Sequence, residues 1–128
     1  MREGYNKKTM STHEKLIAWQ LGDELDKKIQ SLIRTLHRNE YKIIQQIDSA
    51  SDSIGSNIVE GYYSGSTKEY RRFLRYSRRS CAEVQERVRR LNRKGMGDPK
   101  LREESITLCI RTGYILDRLI LSINKKLE

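Results

Sequence analysis

The sequence predicts an all-α protein, an antiparallel up-down-up-down four-helix bundle, and three observations carry that prediction. Apolar residues recur at steps of three and four in four separate stretches, the period of one helix face. Only one Pro and eight Gly stand among 128 residues, so little interrupts regular structure. No stretch alternates apolar and polar residues as a half-buried strand would. The length suits one domain with a substantial core. That domain is expected over residues 13–128, behind a flexible polar leader at 1–12.

The first helix is expected from Thr12 or His13 to Leu36, with Thr12 as its N-cap. Its apolar stripe is Leu16, Trp19, Leu21, Leu25, Ile29, Leu32, Ile33 and Leu36. A short turn, His37-Arg38-Asn39, leads to a second helix over about 40–60, capped by Asn39. The seam there is Ile44, Ile47, Ser51, Ile54 and Ile58, flanked by small residues that let a neighbour come close, and Gly61 reads as the helix stop. Ser66-Thr67-Lys68-Glu69 is a capping box for a third helix running to about Lys94. Its seam is Tyr70, Leu74, Ser77, Cys81, Val84, Val88 and Leu91, one polar member included. Gly95-Met96-Gly97 breaks that helix, and Asp98 before Pro99 starts the fourth, about 99–126. The fourth seam is read as Ile106, Cys109, Gly113, Leu116, Ile120, Ile123 and Leu127, with a close helix crossing offsetting the weak helix propensity of Gly113.

Charge is distributed unevenly. Residues 67–95 hold eleven basic and three acidic side chains, a net +8 out of +9 for the whole chain. Lys68, Arg71, Arg72, Arg75, Arg79, Arg89, Arg90 and Arg93 recur at helical spacing on the face opposite the seam, with Arg78 beside them. These nine are the candidate nucleic-acid contacts: cations in register neutralise phosphates, and the planar fork of Arg suits bidentate phosphate recognition. Tyr62, Tyr63 and Tyr76 are candidates for stacking on exposed bases. Two other readings stay open. The basic face can dock an acidic protein or a neighbouring subunit, making the chain an oligomeric interaction scaffold, or it can simply be a solvated helix face.

Ser53, Asn57 and Glu60 share one side of the second helix and are read as a structural polar cluster, a buried hydrogen-bonded network with Lys68 or a third-helix Arg as partner for Glu60. An enzyme is not expected. The two histidines, His13 and His37, stand apart, no P-loop or dinucleotide fingerprint is present, and Glu83 and Glu86 sit among arginines that pair with them. No metal site or cofactor is expected. Cys81 and Cys109 do not make a disulfide framework and fit buried thiols in a reducing cytoplasm. No apolar run is long enough to span a membrane, and a narrow seam without bulky insertion residues argues against lying on one.

One resemblance is specific. Gln46-Ile47, Ala50, Ser53-Ile54 and Asn57-Ile58-Val59-Glu60-Gly61, followed by Ser66-Thr67-Lys68-Glu69-Tyr70 and Phe73-Leu74, resemble the family of four-helix bundles named for proteins encoded in 23S rRNA intervening sequences. Leu16-Ile17-Ala18-Trp19-Gln20 is similar to that family's first-helix signature, and Ser80 with Glu83-Val84 to its third-helix pattern. The family is similar in fold to the accessory variability protein of diversity-generating retroelements. The resemblance therefore implies a ring of protomers, a homopentamer, and a role beside nucleic acid, with a reverse transcriptase as a partner. The chain departs from the family pattern at Leu36-His37-Arg38-Asn39, which lacks a Phe-Pro, and at Asp48-Ser49, where a basic pair is usual. Its cationic charge sits on the third helix instead of the second.

Overall fold

The structure, a computed structural model, describes residues 12–128 as four α-helices joined by short connections. The expected leader at 1–12 lies outside the described residues but for its last position. Helices α1 (Ile17–Ile33), α2 (Tyr41–Tyr62), α3 (Thr67–Lys94) and α4 (Pro99–Lys126) form an antiparallel bundle. Each packs on its neighbours in the order α1–α2–α3–α4–α1, which closes a square. Leu25, Ile29 and Leu32 of α1, Ile47, Ile54 and Ile58 of α2, Leu74, Val84, Val88 and Leu91 of α3, and Leu116 of α4 fill the centre. Each such aliphatic side chain contributes roughly 1.5–3 kcal/mol by leaving water.

The third-helix seam is buried as read, from Leu74 to Leu91, with Tyr70 half-buried at its start. Its polar member Ser77 donates to the Ile54 carbonyl at 2.8 Å, so a hydroxyl in the core ties α3 to α2. Ser66 caps α3 by accepting from the Glu69 N–H at 3.3 Å. Gly95 ends it with φ 65°, a left-handed cap that a side chain would strain. Asp98 caps α4 through the Leu101 N–H at 2.9 Å, with Pro99 at the first position.

Five expectations are corrected. Thr12 does not cap α1: Thr12–Lys15 is a separate 3₁₀ turn, and Leu16, whose side chain cannot accept, stands at the N-cap. The first helix also ends at Ile33, not Leu36, because 3₁₀-type bonds at Thr35 and Leu36 turn Leu36 back into the core. Asn39 does not cap α2. His37 instead accepts from the Asn39 N–H, starting a 3₁₀ turn over Arg38–Glu40 that feeds straight into the helix. Gly61 is no helix stop, since α2 runs on to Tyr62. A Cβ on Gly61 would lie 2.7 Å from the Phe73 Cβ, so its small size lets α3 approach α2. On α4 the buried stripe is Arg102, Ser105, Cys109, Thr112, Gly113, Leu116 and Ile123, turned from the expected one: Ile106 and Ile120 are half-buried and Leu127 is exposed.

Arg102 is a buried cation that sequence reading missed. Its Nη1 donates to the carbonyls of Leu91 and Asn92 at 3.1 and 3.3 Å, placing positive charge at the negative end of α3. Cys81 and Cys109 are free, buried and adjacent, with the Cys81 thiol 3.3 Å from the Cys109 carbonyl. Its neighbour Cys81 and burial push the Cys109 thiol above the usual range.

Candidate nucleic-acid interface

The nine candidate cations do not form one face. Lys68, Arg71, Arg72, Arg75 and Arg79 line an open groove of about 660 Å³ along the first half of α3, with Ser66, Glu69 and Tyr76. Among the described residues, Lys68, Arg71, Arg75 and Arg79 have no ion-pair partner. Arg71 is held by Asn124 of α4 at 3.0 Å. Arg72 is gripped twice, by the Glu69 carboxylate and by the Tyr76 hydroxyl at 3.0 Å, and both hold its guanidinium above the ordinary range.

Arg78 leaves this group. It turns to α4, pairs with Asp117 at 2.9 Å and lies over Gly113, where a Cβ would meet its guanidinium at 3.0 Å. The Gly113 gap therefore seats an arginine, which corrects the expectation of a close backbone crossing. Farther along α3, acids intervene. Glu83 pairs with Arg87, which also bonds Gln46, and Glu86 pairs with Arg93 at 2.9 Å. Arg89 and Arg90 are exposed between them.

The stacking candidates divide too. Tyr76 lines the groove. Tyr62 and Tyr63 do not. They join a ladder of edge-to-face rings with Tyr70, His13 and Trp19, in which His13 and Tyr63 share a 3.1 Å hydrogen bond. Burial and the neighbouring Tyr62 push the Tyr70 phenol up to about 12.

The polar cluster is not a network. Ser53 donates to the Ser49 carbonyl at 2.9 Å and Asn57 to the Ser53 carbonyl at 2.8 Å, each within its own helix. Short polar side chains on a helix point back toward its N-terminus and meet those carbonyls first. Glu60 is exposed, where water solvates its charge and no Lys68 or Arg partner is needed. The polar link between α1 and α2 lies elsewhere: Asp26 accepts from the buried Ser51 at 2.8 Å, and Gln30 reaches Asp48 at 2.7 Å. Ser51 was read as the polar member of the α2 seam and Asp26 follows the α1 seam residue Leu25, the signals that could have paired them.

A second surface was also missed. Ile17 of α1 and Ile110, Tyr114 and Leu121 of α4 are large, apolar and more than half exposed. Ile17, Leu21, Ile110, Arg111, Tyr114 and Ile115 line a groove of about 330 Å³ between the two helices. The legible signal was a second apolar stripe on α4, outside its seam. Among the described residues no three His, Cys, Asp or Glu side chains come together as a metal site, and no helix is long and apolar enough to cross a membrane.

The model of the 23S rRNA-intervening sequence protein family matches residues 14–118. The chain belongs to that family. A crystal structure of a protein of unknown function from the S23 ribosomal protein family of Bacteroides thetaiotaomicron superposes with a TM-score of 0.73. At 21% identity, it covers 81% of this chain and 98% of its own, which shows a shared fold. No curated protein matches the chain. Within the family fold, the groove lies on the segment whose Ser66-to-Tyr70 motif carried the resemblance.

Proposed function

We propose that the protein is a non-enzymatic nucleic-acid-binding module, cytoplasmic, with the α3 groove as its contact surface. The observation that carries this reading is the groove's five cations against one acid, four of the five without an ion-pair partner among the described residues. Cations left without partners at such density repel one another and are stabilised by a polyanion. The family's name, from ribosomal RNA, supports RNA as the ligand. A non-enzymatic role is supported by the separation of the two histidines, His13 in the aromatic ladder and His37 at the α1–α2 turn.

The same reading includes self-association, with a pentamer as the expected assembly. The exposed apolar surface of α1 and α4 supports it, being an area a second copy would cover. A ring would repeat the groove on every protomer and multiply its affinity. Service beside a reverse transcriptase belongs to this proposal through the family resemblance.

Titration of the full chain with labelled RNA and DNA at several salt concentrations tests it. With about four net charges engaged per protomer, log K should fall against log salt with a slope of about −3 on single strands and about −4 on duplex. No binding at low salt would overturn the reading. Light scattering on the same sample should give a mass near five times the 15.1 kDa chain.

A further inference from the structure

The aromatic residue in the groove is already occupied. Tyr76 has Arg72 one turn before it and Arg79 one turn after it, with guanidinium carbons 5.5 and 4.8 Å from the ring centre. Both lie within the roughly 6 Å over which a cation is attracted to a ring face. Arg72 also stands 4.9 Å from the Phe73 ring, and Phe73 meets Tyr76 edge-on at 5.6 Å. Glu69 and the Tyr76 hydroxyl hold Arg72 from its other sides. A nucleobase seeking the Tyr76 ring would have to displace Arg72, which Glu69 and the Tyr76 hydroxyl also hold, or take the ring from Arg79. Tyr62 and Tyr63, the other candidate platforms, are engaged with His13, Trp19 and Tyr70 outside the groove.

We propose that the α3 groove grips the phosphodiester backbone alone and leaves the bases unread, with Tyr76 as a positioning residue that fixes the spacing of Arg72 and Arg79. The inference rests on the nucleic-acid reading above and specifies its ligand: a polyphosphate chain, with or without bases. The dimensions fit such a chain. Lys68 to Arg79 rises about 16 Å along the helix. One strand of a duplex places a phosphate about every 3.4 Å of axis, so the groove faces about five of them. Five cations meet about five phosphates, with Glu69 spent on orienting Arg72. Stacking of a guanidinium on a ring lowers the entropy lost when that guanidinium meets a phosphate, so the Tyr76 ring acts on affinity without touching the ligand.

The test compares three probes on the full chain by fluorescence anisotropy: a labelled RNA, an abasic oligonucleotide of matched length and charge, and inorganic polyphosphate as competitor. The abasic strand should bind within about threefold of the RNA, and polyphosphate should displace both, as the electrostatic contribution requires. Tyr76→Ala should weaken RNA and abasic strand by the same factor, about tenfold, and Tyr76→Phe, which keeps the ring and loses the hydroxyl contact, by a smaller factor. Tyr76 is half-buried, so circular dichroism on each variant confirms that the helices persist. If RNA binds and the abasic strand is more than about tenfold weaker, stacking on bases contributes, and this inference fails while the nucleic-acid reading stands. A Tyr76→Ala loss confined to the RNA has the same meaning. If no probe binds at low salt, the nucleic-acid reading itself is lost.

Discussion

The two halves of α3 carry almost the same number of cations, six over 67–80 and five over 81–95, yet only the first makes a groove. In the first half a single acid, Glu69, orients Arg72, and Lys68, Arg75 and Arg79 have no acidic partner among the described residues. In the second half Glu83 and Glu86 each engage an arginine, and Arg89 and Arg90 stand apart. A cationic helix is thus not a cationic surface. What matters is where the acids fall and whether a neighbouring helix, as Asp117 does for Arg78, takes a cation out of play.

Charge reversal breaks this comparison most directly. Arg72, Arg75 and Arg79 replaced together by Glu should lower nucleic-acid affinity by on the order of 100-fold or more at low salt, while Arg89, Arg90 and Arg93 replaced the same way should cost under about tenfold. Anisotropy titrations of both triples decide it, and equal losses would erase the distinction between the halves.

The halves also differ in how they are anchored. Gly61 seats the first half against α2, whereas Gly95 only ends the second. Gly61→Ala drives a Cβ into Phe73 and should destabilise the bundle by about 2–3 kcal/mol. Gly95→Ala meets open space and should lose about 1–2 kcal/mol from its left-handed backbone alone. Urea melts of both variants measure the difference, and a milder effect at Gly61 would mean that α3 yields easily at its first half.

A subtler change should turn the second half into a binding surface. Glu83→Gln with Glu86→Gln releases Arg87 and Arg93 and should raise affinity severalfold, steepening the salt slope by about 1 to 2. Stability should move by less than about 1 kcal/mol, because both pairs are exposed. Unchanged affinity would place the second half outside the contact altogether.

The smallest effect concerns Tyr70, the first seam residue of α3. Its phenol is held at about 12 against an ordinary 10.0, and its buried hydroxyl has no hydrogen-bond partner among the described residues. The folded protein therefore binds that proton more tightly than the unfolded chain. The stability this supplies is full below pH 10 and is lost as the pH rises from 10 to about 12. Tyr70→Phe should be neutral within about 1 kcal/mol at pH 7, since no hydrogen bond is given up. It should flatten the alkaline loss relative to the parent, which denaturant midpoints across that range will show. Parallel curves for the two proteins would contradict the shift.

Most of the fold was legible because it is local. The α3 seam, the Ser66 and Asp98 caps and the Gly95 stop depend on residues within a turn of each other, so spacing alone exposes them. The failures share a cause. Gly61 reads as a helix stop until Phe73 is known to face it, and Gly113 as a backbone crossing until Arg78 is seen to lie over it. Ser53, Asn57 and Glu60 share a helix side in any helix, but whether they meet another element depends on the rotation of α2 in the bundle. The candidate interface was legible as to segment, not as to membership. Arg78 is indistinguishable in sequence from Arg75, and only the position of Asp117 separates them.

The chain by itself determines that four helices form, where α3 and α4 begin and end, which face of α3 is buried, and that nearly all net charge lies on that helix. These follow from periodicity and capping, which act over a few residues. The tertiary structure alone decided which cations remain open, that Tyr76 is held between two arginines, and that α1 and α4 leave an apolar surface uncovered. Those are relations between side chains whose contacts depend on helix rotation and crossing, and a linear pattern carries neither.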